Sequence, residues 1–390
     1  MTARRPVPDT ARGRGLRAML AILFCMICLA APGAAMAQAV VPPDDASPSA
    51  GPPGGGVPTE SLGASSDADM WRAVRQGVEG QVSIPDKQAG VLIQSDGEVW
   101  RVVRNGPVTF YGGMAVIGIV LLLALFFLIR GRVRVEAGLA GVTISRFNGL
   151  ERFSHWLTAV SFLILAFTGL NVMFGRYLLK PLIGAQAFAD ITLAGKFLHN
   201  YVAFAFMAGL VLVLVLWIKD NIPNRYDLVW IGKAGGMLSR GTHPPAKKFN
   251  AGQKVIFWLV VLGGLSVSLS GISLLFPFQT AFFSKTFEAV NLLGFDLPAN
   301  LTAMQEMQLS QVWHGVVALF LVIVIIAHIY IGTIGMEGAF DAMGSGRVDL
   351  NWAREHHSIW VEELERKGAL DPRPAEDAET AETAKPQAAS

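Results

Sequence analysis

The residues of this chain best placed to do chemistry are two histidines of one apolar stretch, His314 and His328 in LSQVWHGVVALFLVIVIIAHIYIGTIG. They are 14 positions apart; with about 1.5 Å of rise and about 100° of turn per residue, they fall about 21 Å apart on nearly the same helix face. One histidine then lies near each side of a bilayer. An imidazole in hydrocarbon is costly unless it has a partner, and His155 and His199 stand near the ends of other apolar stretches. Four such imidazoles, two to each leaflet, suggest two bis-histidine hemes.

These side chains need helices to hold them. The chain has 390 residues, 52% hydrophobic and 16% charged, with a mean hydropathy of +0.44. That composition belongs to a polytopic membrane protein and not to a soluble enzyme with one large core. Five apolar runs have spanning length, about 108–129, 155–174, 193–218, 255–278 and 309–335. Such runs must be helical, because lipid offers no partners to free backbone groups. The expected fold is therefore an all-α membrane protein, a transmembrane helix bundle with a four-helix core over 146–336 and one additional N-terminal transmembrane helix over 108–130.

The flanks read differently. Basic Arg12, Arg14 and Arg17, an apolar run from Ala18 to Ala31 and the small-residue site Ala35-Met36-Ala37 spell a secretory signal over 1–37, with an uncleaved anchor as the rival reading. Both cysteines, Cys25 and Cys28, fall inside that run, so a processed chain has no thiol for a disulfide, an iron–sulfur cluster or thioether heme attachment. Residues 38–107 form an expected periplasmic segment. Its first part, to residue 68, is rich in Pro, Gly, Ser, Ala and Asp and reads as linker. From Asp69 onward, aromatics, β-branched residues and turn signals at Pro85-Asp86 and Asp96-Gly97 suggest a small ordered docking segment, with solvated linker as the alternative.

Charge sets the orientation. The connection between the third and fourth runs carries Lys219, Arg225, Lys233, Arg240, Lys247, Lys248 and Lys254, whereas Pro277 to Gln308 carries only Lys285. The first is expected in the cytoplasm and the second in the periplasm of a bacterial inner-membrane protein. The basic RGRVR after the first run, and Arg347 and Arg354 in a cytoplasmic tail over 337–390, agree. A cleaved signal and five spans give the same answer, an N-terminus outside and a C-terminus inside. The net charge of +2 says little by itself, and no nucleic-acid partner is expected.

Depth then pairs the histidines. His155 opens the second span on the cytoplasmic side and His328 closes the fifth there; His199 and His314 lie on the periplasmic side. The expected pairs are His199 with His314 and His155 with His328. Small residues nearby, Gly315, Ala318 and Ala203, leave room for a flat macrocycle. A zinc or copper site would call for acidic or thiol partners at depth, and these spans contain none. His243, His356 and His357 fall in cytoplasmic segments and are expected to be solvated or to face a partner. A constant offset of 102 aligns Arg152, His155, Trp156, Thr168 and Gly169 with Lys254, Phe257, Trp258, Ser270 and Gly271. Either an internal repeat or shared membrane-helix composition explains this.

The ordered motifs RFSHW (152–156), KFLHN (196–200), NIPNRYD (221–227), KFNAGQK (248–254), WHGV (313–316), AHIY (327–330) and WAREHHSIW (352–360) resemble the gamma subunit of membrane-bound formate dehydrogenase, from about Arg146 to Glu363. The N-terminal extension resembles the long form of that family. The resemblance implies a four-helix, di-heme cytochrome b whose axial ligands are His155, His199, His314 and His328. It implies a quinone site beside the cytoplasmic heme, with Asn250 and Gly252 hydrogen-bonded to a quinone carbonyl and His328 close by. It also implies a catalytic subunit with a molybdenum or tungsten cofactor and an iron–sulfur subunit that feeds the periplasmic heme. Ser358-Ile359 stands where the compact form has a proline and a basic residue. From the residues alone, NAGQK is a helix start. Other readings are the cytochrome b of a membrane hydrogenase or thiosulfate reductase, or a membrane anchor without cofactor.

Overall fold

The computed structural model describes residues 80–81, 91–93 and 95–375 apart from 240. The expected signal over 1–37 and most of the segment 38–107 lie outside the described residues. Among the described residues, five helices are long and apolar enough to cross a membrane. They are α1 (Thr109–Arg130), α2 (Gly149–Leu178), α3 (Ala185–Trp217), α4 (Ala251–Leu275) and α5 (Ala303–Tyr330). The chain is an all-α integral membrane protein, as its apolar runs require.

The helices outrun the apolar stretches because polar turns start them. Asn148, Asn250 and Thr302 are N-caps, each accepting from the backbone N–H three residues on, while Glu151, Gln253 and Gln305 reach back to the cap's own N–H. Each box satisfies two donors that a helix start leaves open, worth about 1 kcal/mol. Gly184 precedes α3 at a φ of 84°, a left-handed turn that its missing side chain allows.

α2 packs along α3, and α4 along α5. Gly209 lets α3 approach α2 so closely that a Cβ there would sit 3.1 Å from the Thr158 backbone nitrogen, the small-residue contact by which helices associate in lipid. α1 lies on the outside against α5. Phe126 and Phe127 stand edge-on to Tyr330 at 6.4 and 6.5 Å, and no residue of α1 is buried. A π-helical turn, Arg104–Val108, joins α1 to a helix over Ser95–Val103. Asp96-Gly97, expected as a turn, therefore lies in the first turn of a helix.

At one end of the bundle the chain builds a water-type core. Strand β1 (Val142–Ser145) lies between β2 (Arg347–Asp349) and β3 (Arg373–Pro374), both antiparallel to it, and helices α6 (Leu350–His356) and α7 (Ser358–Arg366) follow β2. Phe147, Trp217, Phe249, Trp352 and Trp360 pack together here. This is the tail end; α3 and α5 begin at the opposite, far end.

The residues related by the offset of 102 do matching work. Trp156 and Trp258 each donate the indole N–H to a backbone carbonyl, of Met343 at 2.9 Å and of Asn221 at 3.0 Å. Asn148 and Asn250, related by the same offset, are the matching caps of α2 and α4. The starts of α2 and α4 are thus built to one plan.

Candidate functional site

The structure brings the four histidines of the spans together in two pairs. At the far end, His199 of α3 faces His314 of α5 with ring centres 6.2 Å apart and planes at 62°. At the tail end, His155 of α2 faces His328 of α5 at 6.3 Å and 56°. α5 contributes to both pairs.

Hydrogen bonds decide which nitrogen is free at the far end. Thr168 lies on α2, where its hydroxyl is 2.8 Å from the Ile164 carbonyl, to which it donates, and 2.8 Å from His199 Nδ1. With its proton engaged, the hydroxyl accepts from Nδ1–H. Ser270 of α4 plays the same part for His314. Its hydroxyl donates to the Ser266 carbonyl at 3.0 Å and is 3.1 Å from His314 Nδ1, which is also 3.1 Å from the Val267 carbonyl. A carbonyl only accepts, so Nδ1 carries the proton. Both imidazoles therefore present a bare Nε2, the arrangement in which an outer-shell acceptor orients a metal ligand.

Glycines complete the far-end cradle. A Cβ at Gly169 would lie 3.6 Å from His199 Cε1, and one at Gly271 only 3.3 Å from His314 Cε1. Thr168-Gly169 and Ser270-Gly271, hydroxyl and glycine in each copy, are related by the offset of 102. At the tail end the second copy holds Phe257 where the first holds His155, so α5 must supply the partner. His155 Nδ1 is buried with no hydrogen-bond partner among the described residues.

The geometry fits a six-coordinate iron. Two nitrogens bound at about 2 Å on opposite sides of one metal place their ring centres about 6 Å apart. Both pairs have that spacing, and among the described residues no acidic or thiol group completes a metal-binding cluster with them. Among the described residues no cluster of three or more His, Cys, Asp or Glu is arranged to hold a bare ion.

The polar residues of the tail end gather at the start of α4. Asn250 is the cap, its side-chain oxygen accepting from Gln253 N–H at 2.9 Å, as the sequence reading of a helix start requires. That leaves the amide NH2 as its remaining donor. Gly252 lies under Trp230, where a Cβ would meet the indole at 2.7 Å. Lys248 pairs with Glu151 at 2.7 Å, and Trp217 donates to the same carboxylate at 3.1 Å. Lys254, 4% exposed, pairs with Asp227 at 2.9 Å.

One expectation is corrected here. His357 is neither solvated nor turned to a partner, because the tail folds back over it, while His356 is half-buried. His357 is fully buried, its Nδ1 2.7 Å from the Lys247 carbonyl, and both rings lie about 5 Å from Trp352. Burial holds His357 well below the ordinary imidazole range and His356 at about 4. His243 stays exposed, 3.1 Å from Glu136. Sequence reasoning did not single out Arg146 or Trp230 at all. It placed Thr168 and Ser270 in the repeat without a role, and the signal was already there.

A membrane-spanning bundle that faces imidazoles in pairs across its helices is the architecture of a b-type cytochrome. Residues 146–346 match the model of the prokaryotic cytochrome b561 family, more than half of the chain, and the chain belongs to that family. It is similar to the formate dehydrogenase cytochrome b556(fdo) subunit of Escherichia coli (strain K12), 26% identical over 225 residues, 57% of this chain and 94% of that one. It is similar also to the nitrate-inducible formate dehydrogenase cytochrome b556(Fdn) subunit of the same strain, 25% over 228 residues, 58% of this chain and 94% of that one. A third relative, the formate dehydrogenase cytochrome b556 subunit of Haemophilus influenzae, is 25% identical over 224 residues, 56% of this chain and 83% of that one. The family implies heme b, and these relatives are subunits of formate dehydrogenase complexes. α1 lies outside the family match.

Proposed function

We propose that this chain is the membrane cytochrome b subunit of a respiratory formate dehydrogenase, taking electrons at the far end and delivering them to quinone at the tail end. The facing imidazole pairs at opposite ends of one bundle carry the reading. His199 with His314, and His155 with His328, would each hold one heme b. Held by two imidazoles, heme b supplies one-electron transfer with no open coordination position.

The rest is the work of the chain. Thr168 and Ser270 keep Nδ1 protonated and aim Nε2, so the far-end ligands need no rearrangement when the charge between them changes. Gly169 and Gly271 leave the rings room. At the tail end, Asn250 offers its NH2, and Gly252 a backbone N–H of a helix's first turn, to a quinone carbonyl whose charge grows on reduction. Two electrons and two protons convert the quinone to the quinol. By the charge of the connections, the far end is periplasmic and the tail end cytoplasmic. Electrons then move inward, worth about 2.3 kcal/mol per charge per 100 mV of potential, and the protons come from the cytoplasm. Formate oxidation would belong to a partner with a molybdenum or tungsten cofactor, feeding an iron–sulfur subunit docked at the far end. Segment 1–37 is a signal, 38–107 a periplasmic linker with a docking part, 108–130 an extra span, 146–336 the cytochrome domain and 337–390 the cytoplasmic tail.

The test is a dithionite-reduced minus oxidised spectrum of the purified complex with heme counted per chain, repeated for His314→Ala. Two b hemes are expected in the wild type and one in the variant, with quinone turnover lost. Folded, heme-supplied protein that binds none would overturn the reading in favour of a cofactor-free anchor.

A further inference from the structure

Three cations surround the turn that opens α4, and two of them are neutralised, Lys248 by Glu151 and Lys254 by Asp227. Arg146 is not. It is 4% exposed, and among the described residues no ion pair forms with it. Through Nη2 it donates to the Lys248 carbonyl at 2.7 Å and reaches Gln253 Oε1 at 3.4 Å, while Nε and Nη1 are buried without a hydrogen-bond partner. The rest of its surroundings are aromatic, with Phe147, Trp352 and Trp360 centred 5.3, 5.1 and 5.7 Å from the guanidinium carbon. Ring faces attract a cation without cancelling its charge. The half-buried His356 and the buried His357 bring no counter-charge.

A whole positive charge is therefore enclosed beside the positive end of the α4 dipole. Enclosing a cation with no counter-ion is costly. A clamp between tail and turn could be built from a neutral donor at less cost. The charge becomes favourable when a negative group arrives at the turn. Gln253 Oε1, the atom Arg146 reaches, also accepts from the Asn250 N–H at 3.1 Å, so the guanidinium stands two contacts behind the candidate quinone residues.

We propose that Arg146 makes the 248–253 turn favour a reduced, negatively charged quinone oxygen over a neutral carbonyl, acting through Gln253 and Asn250. This rests on the quinone reading above and names what that site selects. Arg146 is a positioning residue and does not touch the quinone. Its charge stabilises the oxygen after electrons arrive from the chain and before the proton does; the proton then completes the quinol O–H.

The test uses the purified complex with its heme content measured, and two probes, neutral 1,4-naphthoquinone and ionised 2-hydroxy-1,4-naphthoquinone. Binding is followed by tryptophan fluorescence. Arg146→Gln keeps a donor and removes the charge; Arg146→Lys keeps the charge and removes the fork. The wild type is expected to prefer the ionised probe, Arg146→Gln to lose about tenfold of that preference, and Arg146→Lys to keep it within about threefold. Equal weakening of both probes in both variants makes Arg146 a clamp and overturns the proposal. If neither probe binds the wild type, the quinone reading itself falls and the proposal with it.

Discussion

Replacing Thr168 by Val removes one oxygen and almost no volume from the far-end site. The Thr168 hydroxyl accepts from His199 Nδ1 at 2.8 Å, and the variant leaves that N–H only the Leu165 carbonyl as acceptor in a half-buried place. A net hydrogen bond is worth about 1 kcal/mol. The acceptor makes the imidazole a stronger donor, which favours the oxidised iron more than the reduced iron. If half to all of the bond's worth falls on that difference, then at 59 mV per tenfold for one electron the midpoint potential rises by about 20–45 mV. Only the far-end heme should move, because the tail-end pair lies about 21 Å away along α5. Thr168→Ser restores the acceptor and should return the potential to within about 10 mV of wild type, a small fraction of that bond. An optical redox titration of the complex in membranes resolves the two components. Full heme content with neither component moved, or with the shift in the tail-end component, would refute the forced tautomer.

Two further outcomes follow from the tail and from the loop between α4 and α5. The tail should loosen in acid. His356 is held at about 4 and His357 well below its ordinary value, chiefly by burial and also by Arg146, with His243 and Glu355 the other ionisable neighbours of His356. An unfolded tail binds protons near pH 6.5 while the folded tail does not, so its contribution is complete above about 6.5 and declines as pH falls toward 4. Amide exchange over 350–366, corrected for intrinsic rate, should therefore speed up between about pH 7 and 5, and a pH-independent protection would count against it. At the far end, Glu306 is 3% exposed and accepts from the Phe283 and Ser284 N–H groups at the start of the loop helix Phe282–Asn291. Glu306→Ala should destabilise that loop by about 1–3 kcal/mol, visible as faster proteolysis between α4 and α5 with heme content retained.

The spans and their order were legible because lipid imposes one rule on every apolar run. The facing of His199 with His314 was legible for a related reason, since depth along a helix is arithmetic. The tail was not. WAREHHSIW is polar enough to read as solvated, and only the folding of β2, α6 and α7 against β1 creates the interior that encloses His357. Arg146 was missed on similar grounds. One arginine before a helix start looks like any basic flank until the three aromatics around it come from segments more than 200 residues apart. Thr168 and Ser270 fall between these cases. Their alignment was in the sequence, but a hydroxyl in a membrane helix most often bonds its own backbone, and both of these do that as well.

That one helix, α5, serves both histidine pairs has a mechanical consequence. The separation of the two centres is fixed by the covalent rise of an uninterrupted helix between His314 and His328, not by the packing of neighbours. On the proposed function electrons tunnel between the two pairs, and tunnelling falls steeply with distance, so the subunit needs a spacing that does not breathe. Tilting or sliding α5 carries both centres together and leaves the step between them unchanged. The π-helical turn Ile331–Gly335 comes only after His328, so the irregularity in the helix lies beyond the ruler.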